Sequence, residues 1–256
     1  MTLDFMRLKD ISPDAVVFWQ WGPVSLNATI VNTWLVMALL TAFSWLVTRR
    51  LTSGTRLSRW QNLLEVVVSG MRRQIEEISR QSPERYLPFV GTLFLFIAVA
   101  NILSIFPGFT APTGSLSTTA ALAIGVFVSV PVYGILEKGL ASYLKNYVQP
   151  TVFMLPFHVM GELSRTLALA VRLFGNTMSS TKIVAILLAV TPLFFPVVMH
   201  ALGLLTGLIQ AYIFAILAMV YIASGTQATQ ERQERPMRRE AEKHQKIEDR
   251  QERDQE

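Results

Sequence analysis

The stretch "LALAVRLFGNT" (167–177) is an apolar helix sequence interrupted by Arg172. A guanidinium stays protonated under cellular conditions, so this residue is a fixed positive charge. Helical spacing puts Arg165, Arg172, Asn176 and Ser179 on one face, at offsets of −7, 0, +4 and +7. Glu162 and Lys182 fall about 80° to either side of that stripe. The chemistry on offer is electrostatic: a permanent cation beside neutral amide and hydroxyl groups favours the charged form of any carboxylate that reaches it.

The elements that must position this stripe read as membrane helices. The composition is 51% hydrophobic and 16% charged, against about 25% charged in ordinary soluble domains. The charges are also segregated. No Asp, Glu, Lys or Arg occurs from Ala15 to Thr48, from Tyr86 to Leu136 or from Ile183 to Gln230. A crossing needs roughly 20 mostly apolar residues, so these stretches hold one, two and one or two crossings. A charge at the centre of a spanning helix costs at least ~2.5–3.5 kcal/mol, which a purely structural position would not carry without a partner.

The sequence predicts an all-α polytopic membrane protein with about five transmembrane spans, at 28–47, 87–107, 119–136, 151–190 and 197–224. The last two form a long tilted hairpin, with "TPLFFP" (191–196) as its turn, and Pro131 is expected to kink the third span. Residues 59–78 are different: Trp60, Leu63, Leu64, Val67, Val68, Met71, Ile75 and Ile78 share one face, with Glu65, Arg72, Arg73, Glu76 and Glu77 mostly opposite. Such a helix lies along the membrane surface, packs on a partner helix, or links spans in the cytoplasm. Residues 1–230 form a single membrane domain, and 231–256, with eight basic and nine acidic residues, form a charged tail that is a solvated helix or disordered.

Orientation follows from basic residues in short connections. Residues 49–85 contain eight arginines, whereas 107–118 contain no charge. The former, the 137–150 connection and the tail are therefore expected in the cytoplasm, and the N-terminus outside. Cysteines introduced at Ser53 and Gly114 are expected to label from opposite sides. The N-terminus lacks a signal-peptide pattern. Cysteine is absent, which excludes disulfides and thiolate metal sites. The net charge of +5 comes from residues flanking apolar spans, so it points to topology and not to nucleic acid.

Within the hairpin, the last helix offers Gln210 together with Gly203, Thr206 and Gly207, a face of small and polar residues suited to close helix contact. Two polar stripes predict a polar seam inside the membrane. One reading of Arg172 is a paired charge that locks two helices. No acid in these helices lies at its depth, however: Glu162 is ten residues away, about 15 Å along the axis. The anionic partner of Arg172 is thus expected on another chain. Asn176 and Gln210 either hydrogen-bond near Arg172 or serve as contacts between helices. Glu162, the only acid in the hairpin, is the candidate ion relay. His158 lines a path for ions or sits at the interface, and His200 is expected in an exposed loop.

"ALAVRLFGNT" (168–177) resembles the signature of subunit a of the bacterial F-type ATP synthase membrane sector. The resemblance extends to "PGFTAPTGSLSTTAALA" (107–123), "LKNYVQPTVFMLPFHVMGELSR" (144–165) and "LIQAYIFAILAMVYIA" (208–223), in order. It implies an ion-translocating stator subunit, not catalytic by itself, with two offset half-channels against a rotating ring of c subunits. Arg172 would be the essential arginine that forces ion release and blocks leak. Asn176, Gln210, Glu162 and His158 would assist ion translocation. At about 4 Å and an effective dielectric of about 20, its attraction for a ring carboxylate is about 4 kcal/mol; a transmembrane potential supplies about 2.3 kcal/mol per charge per 100 mV.

The resemblance further implies the c ring, b-type stator subunits and the peripheral F1 ATPase sector as partners, with membrane lipid around them. It implies no nucleic acid, no cofactor and no metal, and a place in the bacterial inner membrane. Many relatives carry an acid five positions after the asparagine and a histidine on the last helix, or the two exchanged. Here those positions hold Thr181 and Gly203, which suggests a divergent or alternative form and leaves the coupling ion open: a proton, with Na⁺ as the alternative. A secondary transporter using Arg172 to bind an anionic substrate is the competing reading; it would show broken helices and internal repeats, and no repeat is visible.

Overall fold

The computed structural model describes residues 17–21, 24–49, 59–79, 82–106, 108–140, 154–190 and 195–253. Six helices follow in chain order among them: α1 (Ala28–Thr48), α2 (Arg59–Ser79), α3 (Leu87–Leu103), α4 (Leu116–Lys138), α5 (Met154–Val190) and α6 (Phe195–Arg253). Short 3-10 turns at Pro83–Arg85 and Pro112–Gly114 lead into α3 and α4. Except at the C-terminal end of α6, the helix bounds fall within a few residues of the sequence expectation, most of them where an apolar run meets a charge, a proline or a glycine. Gly139, for example, closes α4 at φ +79°, a backbone shape that suits glycine.

One departure precedes α1. Strands β1 (Val17–Trp21) and β2 (Val24–Asn27) pair antiparallel, with an irregularity between Val17 and Trp19. An all-α chain was expected, but four of the five residues of "VFWQW" are β-branched or aromatic, types that favour strands. Short runs of this kind cannot be told from helix by periodicity alone.

Helix α6 is the hub, packing against α2, α3, α4 and α5. Its small residues allow this. Ala211, Ala215, Ala218 and Ala223 are buried, and such side chains let helix axes approach closely where no water is expelled. Leu93 and Ile97 of α3, Ala123 and Val126 of α4, and Leu169 and Leu173 of α5 close around Phe214. A second cluster joins Ile75 of α2 to Tyr86, Val90, Val130 and Met219. The amphipathic α2 thus packs on its own chain. Its other side carries exposed ion pairs, Arg72–Glu84 at 2.6 Å and Arg73–Glu77 at 3.1 Å.

The outer surface is apolar. Trp34, Phe157 and Val197 are 63%, 76% and 69% exposed, with many leucines, valines and isoleucines like them, a surface suited to lipid or to partner subunits. Among the described residues, three runs are long and apolar enough to span: Ala28–Leu46, Leu116–Glu137 and Val197–Gly225. Leu87–Leu103, at 17 residues, reaches only about 26 Å, a little short of a ~30 Å hydrocarbon core. Helix α5, at 37 residues, reaches about 55 Å. Pro131 lies inside an unbroken α4. Ser53, residues 151–153 and the start of "TPLFFP" lie outside the described residues, while Phe195 and Pro196 already belong to α6. The tail, left between helix and disorder by its composition, continues α6 as helix to Arg253.

Candidate functional site

Helices α5 and α6 run antiparallel, and several contacts fix their register. Asn176 Nδ2 donates to the Thr206 carbonyl at 3.2 Å. A Cβ placed on Gly203 would meet Ser180 Cβ at 3.5 Å. Near the other end, the Arg165 guanidinium lies 5.7 Å from the centre of the Tyr221 ring, within cation–π range. In this register Arg172 and Gln210 stand at the same level of the hairpin.

They do not meet. Arg172 is exposed, whereas Gln210 is 6% exposed and its Nε2 has no hydrogen-bond partner among the described residues. The polar seam expected between them is therefore only partly formed. The Asn176–Thr206 bond is a direct polar link between the two helices, and Arg165, Arg172 and Ser179 face outward. The reason lies in packing. Leu169, Ala170 and Leu173 are the α5 residues drawn into the core around Phe214, and the charged stripe is left on the opposite side. Around Arg172 the surface is apolar, with Leu167, Val171 and Ile209 63%, 53% and 49% exposed. No ion pair of Arg172 exists among the described residues.

One turn away the surface becomes polar. A cavity of about 140 Å³ lies between α3, the 108–115 segment, α5 and α6. Its polar lining includes Asn101, Ser104, Thr110, Asn176, Thr177, Ser180, Thr181 and His200. An adjoining depression of about 250 Å³ is lined by Asn176, Ser179, Ser180, Gly203 and Thr206. The two share Asn176, Ser180, Met199 and Gly203, and Asn176 and Ser180 carry a polar path from the cavity to the exposed face. There Asn176 is one helical turn, about 6 Å, from Arg172.

The cavity roof is built by the uncharged segment before α4. Pro112, Thr113 and Gly114 are buried, Thr177 Oγ1 donates to Thr113 Oγ1 at 3.5 Å, and Asn32 Nδ2 donates to the Thr110 carbonyl at 2.8 Å. His200, expected in a loop, sits in the opening turns of α6 and faces this cavity. At the far end of α5, Glu162, Arg165, Thr166, Tyr221 and Ser224 surround a small gap. His158 lies exposed one turn further along. The structure thus groups Asn176 with the cavity and Glu162 with Arg165, and keeps the two groups apart, with Arg172 on the surface between them.

Sequence reasoning missed Asn101. It is 5% exposed and donates from Nδ2 to the Gly207 carbonyl at 3.1 Å. Its signal was present, since it is the sole amide in "LPFVGTLFLFIAVANIL" (87–103). A Cβ on Gly207 would come within 2.8 Å of Asn101 Cγ, so this approach requires glycine. Gly207→Ala is expected to expel the amide and destabilise the chain by about 1–3 kcal/mol, the usual range for overpacking. Gly203→Ala, with only ordinary contact to Ser180, should gain up to about 1 kcal/mol from helix propensity. Thermal unfolding of the two variants in one detergent checks the contrast; equal stabilities would remove the close-approach argument.

Comparison with known proteins identifies the relatives of this chain. Residues 30–223 match the family described as ATP synthase A chain. The chain is 61% identical over 220 residues to "ATP synthase subunit a 2" of Acaryochloris marina, covering 86% of this chain and 94% of that one. It is 61% identical over 216 residues to "ATP synthase subunit a 1" of Chlorobaculum parvum, covering 84% and 96%. It is 60% identical over 216 residues to "ATP synthase subunit a" of Albidiferax ferrireducens, covering 84% and 94%.

Proposed function

The chain belongs to the ATP synthase subunit a family, and from that premise we propose how it moves ions against a rotating c ring. As a member it is the ion-translocating membrane subunit of an F-type complex and does no catalysis of its own. The observation that carries the finer reading is the exposed Arg172, a fixed cation on an apolar surface beside a polar cavity.

In this reading the surface formed by Leu167, Val171, Arg172 and Ile209 faces the ring. The cavity lined by Asn101, Asn176, Ser180 and Thr181 is the outer half-channel. The group around Glu162, with His158 beyond it, marks the inner one. A ring carboxylate reaching Arg172 is held in its charged form and releases its ion; it takes up another on leaving. The cation also keeps ions from crossing directly between the half-channels. Coupling to H⁺ is the proposed mode: water held among hydroxyls and amides can relay protons without a titrating lining acid. Asn176 and Gln210 assist, the first at the cavity mouth and the second through its buried amide.

The test is proximity. With a cysteine in the ring helix beside its carboxylate, a cysteine at Ile209 (49% exposed) should form a disulfide, whereas one at Ala211 (0% exposed) should not. Bonding at Ala211 but not Ile209 would place the ring elsewhere.

The proposed topology has five crossings, with the N-terminus outside and the tail inside. The buried Gly114 is a poor labelling site, whereas Ser117 and Ser82 are both exposed. The chain has no cysteine of its own, so single cysteines at these two positions give unambiguous labels. They should react with impermeant reagents from opposite sides of the membrane; reaction of both from one side would refute the arrangement.

A further inference from the structure

We propose that Asn32 is a positioning residue for ion translocation: by holding Thr110 from behind, it keeps the roof of the polar cavity raised. The proposal rests on reading that cavity as the outer half-channel.

Asn32 is the one side-chain amide in the apolar run of α1. Such a group is costly in an apolar setting unless it is hydrogen-bonded. Two other polar side chains of the helix meet that need locally: Thr33 and Thr41 donate to the carbonyls of Thr29 and Met37 on their own helix. Asn32 reaches across instead. Its Nδ2 donates to the Thr110 carbonyl at 2.8 Å and to Thr110 Oγ1 at 3.1 Å. One amide thus grips both the main chain and the side chain of a single roof residue. Among the described residues, no other side chain hydrogen-bonds Thr110.

The grip acts on the part of the roof that has least else to hold it. From Ala111 to Ser115 the segment is buried, and Thr113 meets Thr177 at 3.5 Å. Before that, Gly108 is exposed, and Phe109 and Thr110 are only half-buried. Gly108 has φ +94°, with open space where a Cβ would stand, so the chain bends there with no side-chain support. Phe109 and Thr110 both line the cavity, whereas Asn32 does not. The amide therefore holds Thr110 from outside the cavity, and its pull opposes inward movement of the roof. Without it, the space of about 140 Å³ below is open to the Phe109 ring, an apolar group that gains by burial. A shift of about 1 Å between α1 and the roof is enough to stretch the shorter bond beyond hydrogen-bond range.

The experiment uses the assembled complex in vesicles with Ser180→Cys as the parent, which gives the chain its only thiol. Two quantities are read: the rate at which a small impermeant thiol reagent labels position 180 from the outer side, and ATP-driven ion uptake before labelling. Asn32→Leu, similar in size but without a donor, is expected to lower both at least fivefold. Asn32→Ser, too short to reach Thr110, should do the same. Asn32→Gln keeps the amide and should stay within twofold of the parent, as should Thr110→Val, which loses only the longer bond. Unchanged or faster labelling in both Asn32→Leu and Asn32→Ser would overturn the positioning role. Loss of assembly in both would overturn it too, by making Asn32 a structural anchor. If position 180 of the parent cannot be labelled from outside, or its labelling leaves uptake intact, the half-channel reading falls and the proposal with it. A parent that is labelled and blocked, beside Asn32 variants that label at the same rate, overturns the proposal alone.

Discussion

Arg172→Ala is expected to abolish ATP-driven ion uptake in vesicles while the complex still assembles. Arg172 is exposed and makes no ion pair among the described residues, so its loss should not unfold the chain. Its proposed work is electrostatic. An attraction of about 4 kcal/mol for a ring carboxylate at about 4 Å corresponds to lowering that carboxylate's pKa by about three units. Without it, a carboxylate in an apolar interface stays protonated and carries its ion past. Passive ion flux should rise as well, since only apolar side chains then separate the half-channels. Arg172→Lys should also fail to couple: an ammonium loses the planar fork, and desolvation lowers its pKa, so it can shed the charge. By contrast, Asn176→Ala removes one neutral hydrogen bond, worth about 0.6 kcal/mol between membrane helices, and should only partly reduce uptake. Normal coupled uptake by Arg172→Ala, with assembly confirmed, would sink the mechanism.

The second large effect concerns the cavity. Ser180 lines both the cavity and the depression that reaches the surface, and the chain has no competing thiol. Ser180→Cys exchanges one small group for another and should leave transport close to that of the parent chain. A small impermeant thiol reagent added from the outer side is then expected to stop transport at least tenfold, and from the inner side to do nothing. Blocking the thiol with no effect on transport would show that ions travel elsewhere.

Much of this arrangement could be read from residue order. The helix bounds came from charge-free runs, and the stripe of Arg165, Arg172 and Ser179 came from helical spacing; both survive because they are local properties of one helix. What spacing cannot supply is the rotation of a helix about its own axis. Gln210 was expected either near Arg172 or as a contact between helices, and the packing of α3 and α4 around Phe214 turns it inward and leaves Arg172 outside. The same holds for "GFTAPTGSLST" (108–118). It was expected as an uncharged outer connection open to a label at Gly114, but contacts from Asn32 and Thr177 draw it into the molecule as the cavity roof. Asn101 escaped notice because its partner is a backbone carbonyl on a helix over a hundred positions away, a pairing that leaves no pattern in the sequence. The β1–β2 hairpin and the helical tail were ambiguous for the opposite reason: short apolar runs and uniformly polar runs satisfy more than one local structure.

Two amides from different helices grip consecutive peptide units of α6: Asn176 holds the carbonyl of Thr206, and Asn101 that of Gly207. On the proposed reading a moving ring pushes sideways on this hairpin at every step. A bearing surface that yielded would absorb each push as elastic bending and give it back as recoil, and less of the ion gradient would reach the shaft. Neither sliding nor rolling of α6 can occur without breaking both grips together. On that reading the pair adds to the stiffness of the stator where the torque is applied.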